Sequence, residues 1–431
     1  MHFTDSSRDV LLKRLPNSGL ILSVVIAVCA VSLAGRNWRG IQKIGEFPQV
    51  SNPERNAFLI DVSKEGIVLL QQRVSPEWKS QFGLWNAQLS EMISEVSLPE
   101  PRWNEFVDIK FLGTKNTLVI FNPPYLRLFD VKRNLEIKKV VPNAKYLQHV
   151  SLRSPTNQSG GPPLAVFAIN PHDGSVAAAF NVHGDIRFYI YDAELEKEIA
   201  TWTVPRYVQD ICWSRAGDKL AVLFNGRYDG TGPLPADGVE ELKQFVGWYP
   251  SPNSGPDVWV VNPQTGEPSL KLKTGNQQSH VSFSPDGQLI YVSQDEVNQN
   301  RARGVIKVFS GSSGNEIRTL TAGPNGLHGY FLVSPDGKMI AANASSDVPH
   351  PFWTEPHYAR RIPRVVVIDT ETGNLLFERH VDESWGYESF LFSPDGRRLY
   401  VTLPESKRVR RSRIEIYSLD NSEKQAAAAN Q

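Results

Sequence analysis

HVSFSPDGQLIYVS (280–293), YFLVSPDGKMIAAN (330–343) and SFLFSPDGRRLYVT (389–402) nearly superimpose, and their reading decides the fold. Each is an apolar strand, a Ser-Pro-Asp-Gly turn and a second apolar strand. Pro presets φ at the second turn position, Asp tolerates the third, and Gly supplies the left-handed conformation that reverses the chain. Two strands so joined form a β-hairpin. Weaker copies precede them: ICWSRAGDKLAVLF (211–224), VFAINPHDGSVAAAF (166–180), VDIKFLGTKNTLVIF (107–121) and AFLIDVSKEGIVLL (57–70). Seven units result, with turn glycines at Gly66, Gly113, Gly174, Gly217, Gly287, Gly337 and Gly396, spaced by 47, 61, 43, 70, 50 and 59 residues.

Each unit has a second half, a strand closing on an aromatic or aliphatic residue plus Asp, Asn or Ser, then a turn and a short strand. Examples are DVWVVNPQTGEPSLKL (257–272), IKVFSGSSGNEIRTL (306–320) and RVVVIDTETGNLLFE (364–378). Four strands per unit at this period predict an all-β chain, a seven-bladed β-propeller of four-stranded antiparallel blades spanning 40–420. The SPDG hairpins followed by VVVIDTETGNLL resemble the WD40-like and YVTN-type propeller repeats of bacterial exported proteins. That resemblance implies a propeller and leaves function open, since such families range from interaction platforms to lactonases. The Trp-Asp dipeptide of WD40 repeats is replaced by Phe129-Asp130, Tyr191-Asp192, Ile368-Asp369 and Tyr417-Ser418. The seventh unit stops at its third strand, RIEIYSL (413–419). GIQKIGEF (40–47) resembles the outer strand EIRTLTAG (316–323) and is expected to pair into the last blade and close the ring.

Residues 1–18 form a basic N-terminal segment, and Gly19 to Gly35 is an uncharged apolar run. Seventeen residues are just within the reach of a spanning helix, for which about 17–25 are needed. A transmembrane anchor or a signal segment is expected, with the bulk exported to the periplasmic or extracellular side. The alanine-rich tail 421–431 reads as disordered. Basic and acidic residues number 46 each, so no global field draws the chain to nucleic acid. Cys29 and Cys212 give neither a disulfide framework nor zinc spacing. No cofactor or metal is expected, and the propeller reads as monomeric.

Long insertions fall on one end of the predicted disc: Pro142 to Pro163, Asn225 to Pro256, Gln294 to Gly304, Asn343 to Pro363 and Pro404 to Ser412. Binding groups concentrate on such loops. Partner-binding candidates are His350, Trp353, His357, Tyr358 and Arg360 in one insertion, Trp248 and Tyr249 in another, and Arg408, Arg410 and Arg411 in a basic run. The aromatics can equally serve to pack their loops onto the disc. Counting four residues back from each turn Ser or its equivalent gives Leu59, Asp108, Val166, Asp210, His280, Tyr330 and Ser389 at the mouth of a central channel. Asp108, Asp210, His280, Tyr330 and Glu388 are the polar candidates there. A carboxylate pair with a histidine suits acid–base work, while the same residues serve as strand-entry hydrogen-bonders. Two functions follow. The favoured one is a non-catalytic scaffold offering the elaborated face to a protein, peptide or glycan, with a membrane contact through 19–35. The alternative is a propeller hydrolase or lactonase-like enzyme using the channel mouth.

Overall fold

The computed structural model describes residues 41–47, 55–74, 79–96, 108–113, 116–122, 125–141, 165–182, 185–204, 208–224, 258–274, 278–298, 301–322, 326–348, 360–380, 389–404 and 412–419. These form seven four-stranded antiparallel sheets, numbered here as blades 1 to 7 in chain order. In blades 1 to 6 the four strands follow one another in sequence. Blade 7 takes three strands from the C-terminal end and its outermost, Gln42–Glu46, from the N-terminal one, which pairs with Ser412–Ser418. Among the described residues no helix is long and apolar enough to cross a membrane, and the run 19–35 lies outside them.

The hairpin turns explain why these residues were chosen. All seven turn glycines sit at positive φ, between 67° and 80°, a region that a Cβ disfavours. In the Ser-Pro-Asp-Gly turn of blade 5, Leu289 N–H donates to Ser284 Oγ at 2.8 Å and the hydroxyl donates to Asp286 Oδ1 at 2.5 Å. Gly287 N–H closes the turn on Ser284 O at 2.9 Å. Ser334 with Asp336 and Ser393 with Asp395 repeat the arrangement in blades 6 and 7.

A single thin sheet cannot bury both of its faces, so each blade packs on its neighbours. Seven buried clusters sit at the seven blade boundaries. Phe82, Val96, Ile109 and Phe129 join blades 1 and 2. Phe188, Trp202, Trp213 and Phe224 join blades 3 and 4. Leu59, Val68, Tyr400 and Ile416 join blades 1 and 7, with Phe47, just after the N-terminal strand, in the same cluster. The first strands of successive blades lie against one another and are therefore innermost.

Every pairing of an outer strand with its neighbour carries a register shift, in all seven blades. A bulge there interrupts the row of free backbone groups that an edge strand would otherwise offer to another chain.

The insertions differ in part from the sequence expectation. Gln294 to Gly304 is a β-hairpin and not a loop. Strands Leu289–Asn298 and Arg301–Ser310 are ten residues each and stay paired out to Asn298 opposite Arg301. Blade 6 does the same with Met339–Val348 and Arg360–Asp369, so Arg360 belongs to a strand.

Candidate functional site

In blades 1, 4, 5 and 6 the polar residues of the innermost strands lie at bulges, which re-aim side chains. In blade 4 (inner strand Val208–Trp213) the register shifts between Val208 and Asp210. Asp210 Oδ1 accepts from its neighbour Ile211 N–H at 2.9 Å, and Oδ2 accepts from Val281 N–H of blade 5 at 2.9 Å. The same carboxylate meets His280 Nδ1 at 2.5 Å. His280 follows a bulge of its own in Gln278–Phe283, and its ring lies 4.7 Å from Tyr330 and 4.9 Å from Phe331 in blade 6. Tyr330 lies where the register shifts between His328 and Phe331, and its ring is 5.6 Å from Phe390 of blade 7. Asp210, His280, Tyr330 and Phe390 thus form a chain of contacts across blades 4 to 7.

The other arc repeats the device two residues later in the strand. A bulge between Leu59 and Asp61 turns Asp61, whose Oδ1 accepts from Val62 N–H at 2.8 Å and whose Oδ2 accepts from Phe111 N–H of blade 2 at 2.7 Å. Asp61 and Asp210 therefore do the same work, each tying its blade to the next. Lys110 Nζ stands 4.0 Å from Asp108 Oδ2 and 4.9 Å from the Phe167 ring of blade 3. Trp213 Nε1–H continues the belt by donating to Ala168 O across blades 3 and 4 at 3.2 Å.

These groups act on one another electrostatically. Burial pushes the Asp61 carboxyl up to about 6, against the two backbone donors that favour its ionised form. Burial also raises Asp108, against the pull of Lys110. Lys110 is itself raised: burial works against its charge, and Asp108, Asp61 and Asp210 more than offset that. Side chains of Asp108 and Lys110 keep 36% and 40% of their surface accessible, as expected where a narrow axial space admits water but protein surrounds it. Burial first, then the three carboxylates, raises the Tyr330 hydroxyl. Burial pushes the Cys212 thiol up to about 11, so it stays protonated and weakly nucleophilic at neutral pH.

The structure thus brings Asp210, His280 and Tyr330 into contact and sets Asp108 beside Lys110. Glu388 lies outside the described residues, as do Trp248, Tyr249, His350, Trp353, His357, Tyr358, Arg408, Arg410 and Arg411. Asp61 and Lys110 escaped the sequence reading: counting four back from the turn assumes an unbulged strand, which fails for Asp61, and it takes one residue per strand, which passes over Lys110 two residues beyond Asp108. The shared Asp-apolar step in LIDVS and QDICWS was the available signal. No group of three metal-ligating side chains occurs among the described residues.

Strand directions place the elaborated connections at one end. Strands two and three of blades 4, 5, 6 and 7 and the link from blade 2 to blade 3 all turn at the end where inner strands begin. The extended hairpins of blades 5 and 6 rise from that same end.

The chain is similar to the β-propeller domain of Myceliophteria thermophila Cps50 (Swd1), at 10% identity over 87% of this chain and 99% of that one, with a TM-score of 0.54. It is also similar to a chain in the crystal structure of the mitotic checkpoint complex, at 12% identity over 88% and 91%, with a TM-score of 0.52. No protein-family model matches the chain, and no curated protein matches it in sequence. Both structural likenesses are likenesses of fold: a seven-bladed β-propeller with WD40-like structural neighbours.

Proposed function

We propose that this chain is a non-catalytic binding scaffold that presents its elaborated end to a protein, peptide or glycan partner. The observation that carries the reading is the pairing-out of the hairpins in blades 5 and 6, which stand beyond their sheets at the end where the longest connections also emerge. Paired strands that run past the four-stranded sheet carry their connections on a scaffold, which is the expected design for a contact surface. Channel-mouth groups support it from the other side. Asp210 and Asp61 each accept two backbone N–H bonds, one across a blade boundary, and so hold the ring together. One structural neighbour works inside a multi-protein assembly, which fits a scaffold.

Within the same proposal the strand Gln42–Glu46 closes the ring, and the apolar run 19–35 tethers the propeller on the outer side of a membrane. Shortening the blade 6 hairpin, by replacing 345–363 with a two-residue turn, tests the central claim. Partner capture from the native host should be lost while the far-ultraviolet dichroism of the sheet is kept. An unchanged set of captured partners would overturn it. The hydrolase or lactonase-like alternative rests on the Asp210–His280 pair. Turnover of an ester or lactone panel that disappears in His280→Ala would favour that reading instead.

A further inference from the structure

Blades 1 and 2 differ from the others at the rim. The residue bulged out of each outer strand is exposed and apolar in four blades, as Ile93, Ile137, Ile199 and Ile317. Single exposed apolar residues of this kind are ordinary. In blades 1 and 2 alone a second one stands beside it, so that Met92, Ile93, Leu135 and Ile137 are each 50–56% exposed on two adjacent blades. The two strands also carry opposite charge. Glu91 and Glu95 are exposed on the blade 1 strand Met92–Val96 and the turn before it. Lys132, Lys138 and Lys139 lie on or beside the blade 2 strand Leu135–Val140. Among the described residues, Glu91, Glu95, Lys132 and Lys138 take no part in an ion pair.

We propose that this rim is an isologous interface between two copies of the chain. An acidic apolar strand next to a basic apolar strand is self-complementary. A two-fold axis running between the two blades sets each copy's Glu91 and Glu95 against the other's lysines and buries the four apolar side chains between them. A partner of one charge sign would satisfy only one of the two strands. The bulges at Ile93 and Ile137 break the backbone ladder, so the contact is made by side chains and not by strand addition. The monomer expected from sequence is then the form seen only at high dilution.

Sedimentation velocity on the full chain, held in one non-ionic detergent throughout, reads this directly. The unaltered chain should dimerise at concentrations on the order of 10 μM, the range of a small transient interface. Ile93→Asp with Ile137→Asp should weaken it by about 100-fold or more, since charge in an apolar contact costs heavily. Glu91→Lys with Glu95→Lys, and separately Lys138→Glu with Lys139→Glu, should each leave monomers. Mixing these two reversed chains should restore a dimer, because both contacts then regain opposite charges. A monomer at every concentration, a dimer that survives the two aspartates, or a mixture that stays monomeric would overturn the proposal.

Discussion

Blades 1 to 3 and blades 4 to 6 build the same turn, between third and outer strands, from opposite materials. One residue in it must adopt positive φ. In blades 4 to 6 it is Gly266, Gly314 and Gly373, and in blades 1 to 3 it is Leu89, Asn134 and Leu195. A left-handed leucine costs roughly 1–2 kcal/mol. The outer strand of the preceding blade shows what offsets that cost. Trp202, Leu272 and Leu320 face the three glycines, and a Cβ on Gly266 would stand 2.5 Å from the Trp202 ring. At the register position of Trp202, blade 2 has Val140, and Leu195 of the next blade packs beside it, 1% exposed. A large side chain comes from one partner or the other, and interior volume is conserved. Leu89 follows the same economy less strictly, since it shares its cluster with Phe47, whose ring is turned edge-on to Trp85.

The sharpest way to break this comparison is to exchange the two solutions. Gly266→Ala should destabilise by about 4 kcal/mol or more, adding backbone strain to overpacking. Trp202 cannot yield, because it is stacked on Phe188 at 4.0 Å and donates from Nε1 to Pro263 O at 3.1 Å. Gly287→Ala is the control, since its φ is also positive but no atom lies within 4 Å of a Cβ there. Only the strain of roughly 1–2 kcal/mol should remain. Thermal unfolding of the two variants in parallel checks this, and equal losses would remove the volume account.

The same contrast explains what could be read from sequence. Blades 5 to 7 repeat Ser-Pro-Asp-Gly because Ser, Asp and Gly make local bonds, as Ser284, Asp286 and Gly287 do, and Pro presets φ, so that the turn leaves a local signature. At the turn between third and outer strands, blades 1 and 3 fill the left-handed position with a leucine held by long-range packing, so Leu195 looks like any apolar residue until Val140 is placed beside it. The axial site was half legible for a related reason. Asp210, His280 and Tyr330 fall at a constant distance from the turn, while Asp61 was displaced by a bulge that no residue type announces. Glu415 was not legible at all, because the partners that tie it to other strands, Arg379 and Lys43, lie 36 and 372 residues away.

That glutamate extends the comparison to pH. Glu415, its side chain 2% exposed, accepts from Lys43 Nζ at 3.0 Å on the N-terminal strand and from Arg379 Nε of blade 6 at 3.0 Å, with Arg413 and the Tyr417 hydroxyl also against it. Burial alone would raise its carboxyl, but the bonds from Arg379, Tyr417 and Lys43 bring it down to about 2. Its folded value lies below its unfolded one, so it stabilises the protein above about pH 4.5 and that contribution, roughly 3 kcal/mol, fades as pH falls towards 2. Asp61 in blade 1 has the opposite sign. Raised to about 6, it lets stability decline as pH rises from its ordinary value of 3.8 to 6. Urea midpoints from pH 2 to 7 should lose their acid-side fall in Glu415→Gln and their mid-range decline in Asp61→Asn. Parallel shifts of the whole curve in both variants would show that neither carboxylate is linked as stated.

The smallest effect tests the early turns from the favourable side. Asn134 is the one left-handed residue of blades 1 to 3 that is exposed, with φ at 51° and a polar side chain that suits this region better than leucine does. Val96 of blade 1 holds the register position that Trp202 holds in blade 3, so the volume there is small. Asn134→Gly should therefore be neutral to stabilising, by up to about 1 kcal/mol, because backbone strain is relieved while the unfolded chain gains some freedom. Leu195→Gly relieves more strain yet should lose about 2–4 kcal/mol, since it empties a buried leucine site. If both glycines stabilise, strain dominates these turns and the volume exchange between blades is incidental; if only Asn134→Gly does, packing decides which blades can use glycine.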